Sequence, residues 1–101
     1  MTSTELGNEY LRIIKKDTKL DAGEQVALLN QFIYAWDAAD IGLLSKELQE
    51  RLNRLAGVLD FLQSLGKIQD DEDLWMLMNE IEKYGYGKAW EENGPDADAE
   101  R

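Results

Sequence analysis

Apolar residues recur at helical spacing through most of this chain, and four separate stripes stand out. Leu6, Tyr10, Ile13 and Ile14 fall at i, i+4, i+7 and i+8 and predict a first helix over residues 4–17, capped by Ser3 or Thr4. Asp21 with Glu24 three residues later reads as a capping box that opens a second helix, running to Ala39. Its stripe is Val26, Leu29, Ile33 and Trp36, widened by Leu28, Phe32, Ala35 and Ala39. A face that broad contacts more than one neighbour and puts this helix at the centre.

The third stripe is the longest. Ile41, Leu44, Leu48, Leu52, Leu55, Val58, Leu59, Leu62 and Leu65 predict a helix from Ile41 to Leu65, with Asp40 as N-cap and Gly66 as C-cap. Arg51 projects from the same side, either snorkelling to water or meeting a carboxylate across an interface. Gly57 lies mid-helix, at a close crossing or simply tolerated. The fourth helix starts after Asp70 or Asp71 and buries Leu74, Leu77, Met78 and Ile81. Trp75 falls on its flank and Met76 points nearly opposite. Gly85 offers a left-handed stop after Tyr84, with one more turn around Lys88–Glu92.

Connections of a few residues force such helices to pack as hairpins. The expectation is an all-α fold: a small bundle of four main helices with a short aromatic and acidic C-terminal tail. Residues 1–93 make one helical domain. "GPDADAER", residues 94–101, has nothing apolar larger than alanine and reads as a disordered acidic tail.

Composition narrows the chemistry. The 101 residues include no cysteine and no histidine. Thiolate nucleophiles, Cys/His zinc sites and histidine-based triads are therefore excluded, and an enzyme would have to run on carboxylates, Lys, Tyr or Ser. No glycine-rich phosphate loop is present, since Gly85 and Gly87 lack the strand, the third glycine and the helix around them. Asp37 and Asp40 lie three apart beside Trp36, a spacing open to an acid/base pair or half of a metal site, but there is no histidine and no matching pair elsewhere, and Asp40 is better used as a cap. The expectation is no enzyme, no cofactor and no metal. "MTSTELGNEY" is no signal peptide and no apolar run is long enough to span a bilayer, which implies a cytoplasmic protein.

Net charge is −10. That sign disfavours direct contact with nucleic acid or anionic lipid and favours basic proteins. The charge is uneven: residues 1–20 carry +1, residues 21–44 carry −4, residues 45–69 carry +1 and residues 70–101 carry −8. Arg12, Lys15, Lys16 and Lys19 form a basic face on the first helix, suited to solvent, to an anion or to the acidic region of a second copy. Asp70, Asp71, Glu72 and Asp73 are the densest acids. They oppose the dipole of the fourth helix, and they also offer a patch to a basic partner. Their spacing does not fit an EF-hand loop.

The proposed partner surface is then Asp70, Asp71, Glu72, Asp73, Glu80 and Glu82, with Trp75, Met76, Tyr84, Tyr86 and Trp90 as apolar anchors. The same rings also suit closure of one end of the bundle. The leading expectation is a non-enzymatic inhibitor or adaptor that engages a basic protein, such as one that binds nucleic acid. Small viral inhibitors of host defence use dense carboxylates in this way, and the likeness is one of size and charge alone. A homo-oligomeric scaffold with Arg51 at its interface is the second expectation. A sequestering protein for an anionic nucleotide, held by the basic face of the first helix and by tyrosines, is the third.

Overall fold

The computed structural model describes residues 2–17, 19–42, 46–68 and 72–93; of residues 17 and 89–93 only the backbone is described. Four helices account for nearly all of them: α1 (Ser3–Asp17), α2 (Ala22–Asp40), α3 (Lys46–Ser64) and α4 (Glu72–Asn93). The fold is an all-α bundle.

The helix ends follow local chemistry. Thr2, one position earlier than expected, caps α1: its Oγ1 accepts from the Glu5 amide at 3.1 Å. The capping box of α2 is complete, with Asp21 accepting from the Glu24 amide at 2.8 Å and Glu24 accepting from the Asp21 amide at 3.1 Å. Gly66 adopts φ 72° at the end of α3. Its amide donates to Gln63 O and the Lys67 amide donates to Leu62 O, the pair of bonds that defines a Schellman motif.

Two boundaries differ from the sequence expectation. Asp40 is the last residue of α2 and not the N-cap of α3, because Gly42 takes φ 70° and ends α2 beyond it. The second difference is in α4, which runs straight through Gly85 and Gly87 to Asn93, so Gly85 is not a stop. The expected termination rested on the weak helix propensity of glycine, about 1 kcal/mol per residue. Packing outweighs it. A Cβ on Gly85 would lie 2.9 Å from Leu48 Cδ2, 3.0 Å from Ala39 Cβ and 3.2 Å from Ala39 Cα. The missing side chain is what lets α4 meet α2 and α3. Gly57, which the sequence offered for a close crossing, faces open space.

α2 is central: it packs on the other three helices, most extensively on α3 and α4, while α1 and α3 do not meet among the described residues. The C-terminus of α1, the N-terminus of α2, the C-terminus of α3 and the N-terminus of α4 gather at one end. There Lys67 Nζ meets Glu24 at 3.1 Å, Lys16 meets Asp73 at 3.8 Å and the Lys19 amide donates to Lys67 O. Leu20 and Ile68, from the two connections, are buried there and close that end. At the other end Ala39 and Leu48 meet Gly85. The helices thus alternate up and down, and α2 and α4 span the short diagonal.

The core contains Leu6, Tyr10, Ile13, Ile14, Leu28, Phe32, Ala35, Trp36, Leu48, Leu52, Leu55, Leu59, Leu74 and Ile81, with no buried charge among the described residues. The buried face of α2 centres on Leu28, Phe32, Ala35 and Ala39. Val26 is exposed, against expectation, and Leu29 and Ile33 are half-buried. Ile41 and Leu65, expected in the α3 stripe, are also exposed. Ile41 lies outside α3 altogether, in the turn that Gly42 makes.

Candidate partner-binding surface

The proposed anchors divide between two flanks of α4 and do not form one patch. Asp73, Leu77, Glu80 and Tyr84 fall at i, i+4, i+7 and i+11 along one flank. Trp75, Asn79, Glu82 and Tyr86 repeat the same spacing along the other. Asp70 and Asp71 lie outside the described residues, as does the side chain of Trp90.

The tyrosines near the C-terminal part of α4 hold the fold together. Tyr84 stacks on Trp36 with centroids 4.5 Å apart and donates its hydroxyl to Asp40 Oδ1 at 2.9 Å. Tyr86 accepts from Gln49 Nε2 at 2.7 Å, tying α4 to α3. Trp75 is half-buried against the core. A shallow recess of about 290 Å³ lies beside Tyr86, lined by Asn79, Glu82 and Lys83.

The N-terminal part of the first flank is open. Between α1 and α4 runs a groove of about 240 Å³ lined by Glu9, Arg12, Ile13, Asp73, Met76, Leu77 and Glu80. Ile13 and Leu77 form its floor and belong to the core, while Met76 stands 57% exposed at its edge. Three carboxylates and one guanidinium make the rim. Arg12 donates to Glu9 Oε2 through Nε at 3.2 Å and Nη2 at 2.9 Å. That hydrogen bond and the charge behind it hold the Glu9 carboxyl below the usual carboxylate range and push the Arg12 guanidinium further up. Lys16 approaches Asp73 to 3.8 Å with both side chains well solvated, a weak pair. Glu80 has no ion-pair partner among the described residues.

The basic face of α1 is therefore partly engaged within the chain: Arg12 with Glu9, Lys16 with Asp73. Lys15 is exposed, as is Lys19, which lies beyond the end of α1 and so is not part of its face. Arg51 is engaged more fully. It donates to Glu47 Oε1 at 2.9 Å and to the Tyr34 carbonyl at 2.8 Å, and its guanidinium lies 3.9 Å from the centroid of the Tyr34 ring. It joins α3 to α2 and uses three of its five N–H donors within the chain.

Glu9 was missed in sequence because it stood among solvated positions of α1. Ile13 and Leu77 were read as core only. The available signal was the pair Asp73 and Glu80 on one flank of α4, seven residues apart, with Met76 turned away from the core between them.

Among the described residues, no three Asp or Glu side chains come together in a way that would hold a metal ion. No helix among them is long and apolar enough to cross a membrane. Comparison of the chain with protein-family models, curated proteins and solved structures finds no match.

Proposed function

We propose that this chain is a non-enzymatic, acidic protein-binding module, an inhibitor or adaptor that engages a protein with a basic surface. The observation that carries this reading is the α1–α4 groove, where an apolar floor is rimmed by Glu9, Asp73 and Glu80. A net charge of −10 steers a basic partner toward the molecule, and exposed apolar surface then lengthens the residence of the complex. A partner whose natural ligand is nucleic acid fits best, since such surfaces concentrate Lys and Arg.

Two observations weigh against the alternatives. Arg51, the residue expected at a self-association interface, pairs within the chain with Glu47 and the Tyr34 carbonyl. Of the tyrosines that would hold a nucleotide beside the basic α1 face, Tyr10 is buried with its hydroxyl donated to the Gln25 carbonyl.

The test is calorimetric titration against a panel of basic DNA-binding proteins, with competing duplex DNA. The expected result is a complex that DNA displaces and that weakens by about tenfold or more between about 50 and about 300 mM salt. No binding across the panel, or binding indifferent to salt, overturns the proposal.

A further inference from the structure

We propose that the α1–α4 groove receives a basic amphipathic helix, one large apolar side chain entering between Ile13, Met76 and Leu77 while two cations of the same helix meet Asp73 and Glu80. This rests on the reading of the chain as an acidic binding module and names the element it binds. It also assigns Lys16 the place of an internal competitor for Asp73.

The size of the groove argues for a side chain rather than a free ligand. Its 240 Å³ falls below the range of about 300–1,000 Å³ typical of small-molecule sites. A groove bounded by two helices suits a third, laid along it. The charges set the register. Asp73 and Glu80 are seven residues apart on one helix, a separation of about 10.5 Å along its axis. A partner helix matches it with Lys or Arg at positions seven apart and an apolar residue three or four positions after the first. Met76 is well chosen for the edge of such a site, because its unbranched thioether adapts to differently shaped side chains. Arg12 is held by Glu9, so the cation that a partner must displace is Lys16, at 3.8 Å from Asp73 and two-thirds exposed.

The charge arithmetic favours a basic occupant over a second copy of this chain. Two molecules of net −10 repel. α1 itself is neutral, with three acids and three bases, and two of its three cations already pair in cis.

The probe is a fluorescein-labelled synthetic helix with a single tryptophan, lysines seven positions apart that flank it, and otherwise alanine and glutamine. A scrambled peptide of the same composition is the comparison. Binding is read by anisotropy at low salt and the site by amide chemical shifts of the ¹⁵N-labelled chain, each variant being checked for its helical spectrum. Met76→Lys is expected to weaken binding about tenfold, and Asp73→Asn or Glu80→Gln about threefold each. Lys16→Ala is expected to tighten it about twofold, while Glu50→Gln and Lys46→Ala, which change the same charge on α3, leave it nearly unchanged. Equal responses from groove and α3 variants, equal binding of the scrambled peptide, or shifts gathered at Asn79, Glu82 and Tyr86 would overturn the groove and leave the acidic module standing. So would binding of a basic protein by a chain that ignores this peptide. A chain that binds neither loses both proposals.

Discussion

The two ends of α4 have similar residue types and opposite fates. Around Tyr84–Tyr86 the rings are used inward: Tyr84 lies on Trp36, Tyr86 holds Gln49, and Gly85 brings α4 against Ala39 and Leu48. Around Asp73–Glu80 the helix faces the shorter α1, and Met76 is left at an open groove rimmed with carboxylates. Both stretches looked like anchors for a partner when judged by composition. What separates them is the contact each one makes: Gly85 and Ala39 are small enough to bring the C-terminal stretch against α2 and Leu48 of α3, whereas charged side chains of α1 stand off the N-terminal one. Aromatic content thus marks cohesion here, and the exposed thioether among acids marks the surface available for binding.

The largest expected effect is at the closed end. Gly85→Val places a branched side chain where even a Cβ would sit 3.2 Å from the Ala39 backbone. Overpacking of this kind, partly offset by better helix propensity, is expected to cost about 3 kcal/mol, read as a lower midpoint in urea. An unchanged midpoint would mean that α4 does not cross α2 this closely.

The open end depends on α1 being held in place, and Tyr10 does much of that. It is buried, packs its ring 5.7 Å from that of Phe32 and donates to the Gln25 carbonyl. Burial pushes its phenol up to about 12 from 10.0. The raised value means that the folded state favours the neutral form. Its contribution is fully present below pH 10, where both states keep the proton. It is lost as pH rises from 10 toward 12, where the unfolded chain ionises first. The expected loss is about 2 kcal/mol across that window. Urea titrations at several alkaline pH values should show it, and Tyr10→Phe should remove that part of the pH dependence.

Two glycines two residues apart sharpen the comparison further. Gly87 has nothing within 4 Å of where a Cβ would stand. Gly87→Ala is therefore expected to stabilise by about 0.5–1 kcal/mol through helix propensity alone, the opposite sign to Gly85→Val. Thermal melts of the two variants side by side check this, and a destabilised Gly87→Ala would place a neighbour against that position.

Much of this was legible in the chain. The capping box at Asp21 and Glu24, the Schellman stop at Gly66 and the central place of α2 follow from local patterns that tertiary structure had no reason to override. The misplacements have different causes. Gly85 looks like a stop because propensity describes a helix in isolation, and the decisive contacts come from Ala39 and Leu48, some forty positions away. Asp40 looks like the cap of α3, but the positive φ of Gly42 leaves it as the last residue of α2. Val26 looked buried because Val26, Leu29 and Ile33 share a stripe, but a stripe does not say how much of its width the neighbours cover. The groove was hidden for a related reason. Its acids were visible on α4, but Glu9 and Arg12 join them only through the antiparallel docking of α1.

The smallest effect on stability falls where the largest effect on binding is expected. Met76 is more than half exposed, so replacing it gives up little burial. Lysine is as good a helix former as methionine, and at position 76 it lies four residues from both Glu72 and Glu80. Met76→Lys is accordingly expected to change folding stability by less than about 0.5 kcal/mol, with helical content unchanged. A substitution that is silent in the urea midpoint and weakens peptide binding about tenfold would separate the two ends of α4 into one that holds the fold and one that meets a partner. A loss of stability comparable to that of Gly85→Val would mean that Met76 is covered in solution, and the open flank would then be closed like the other.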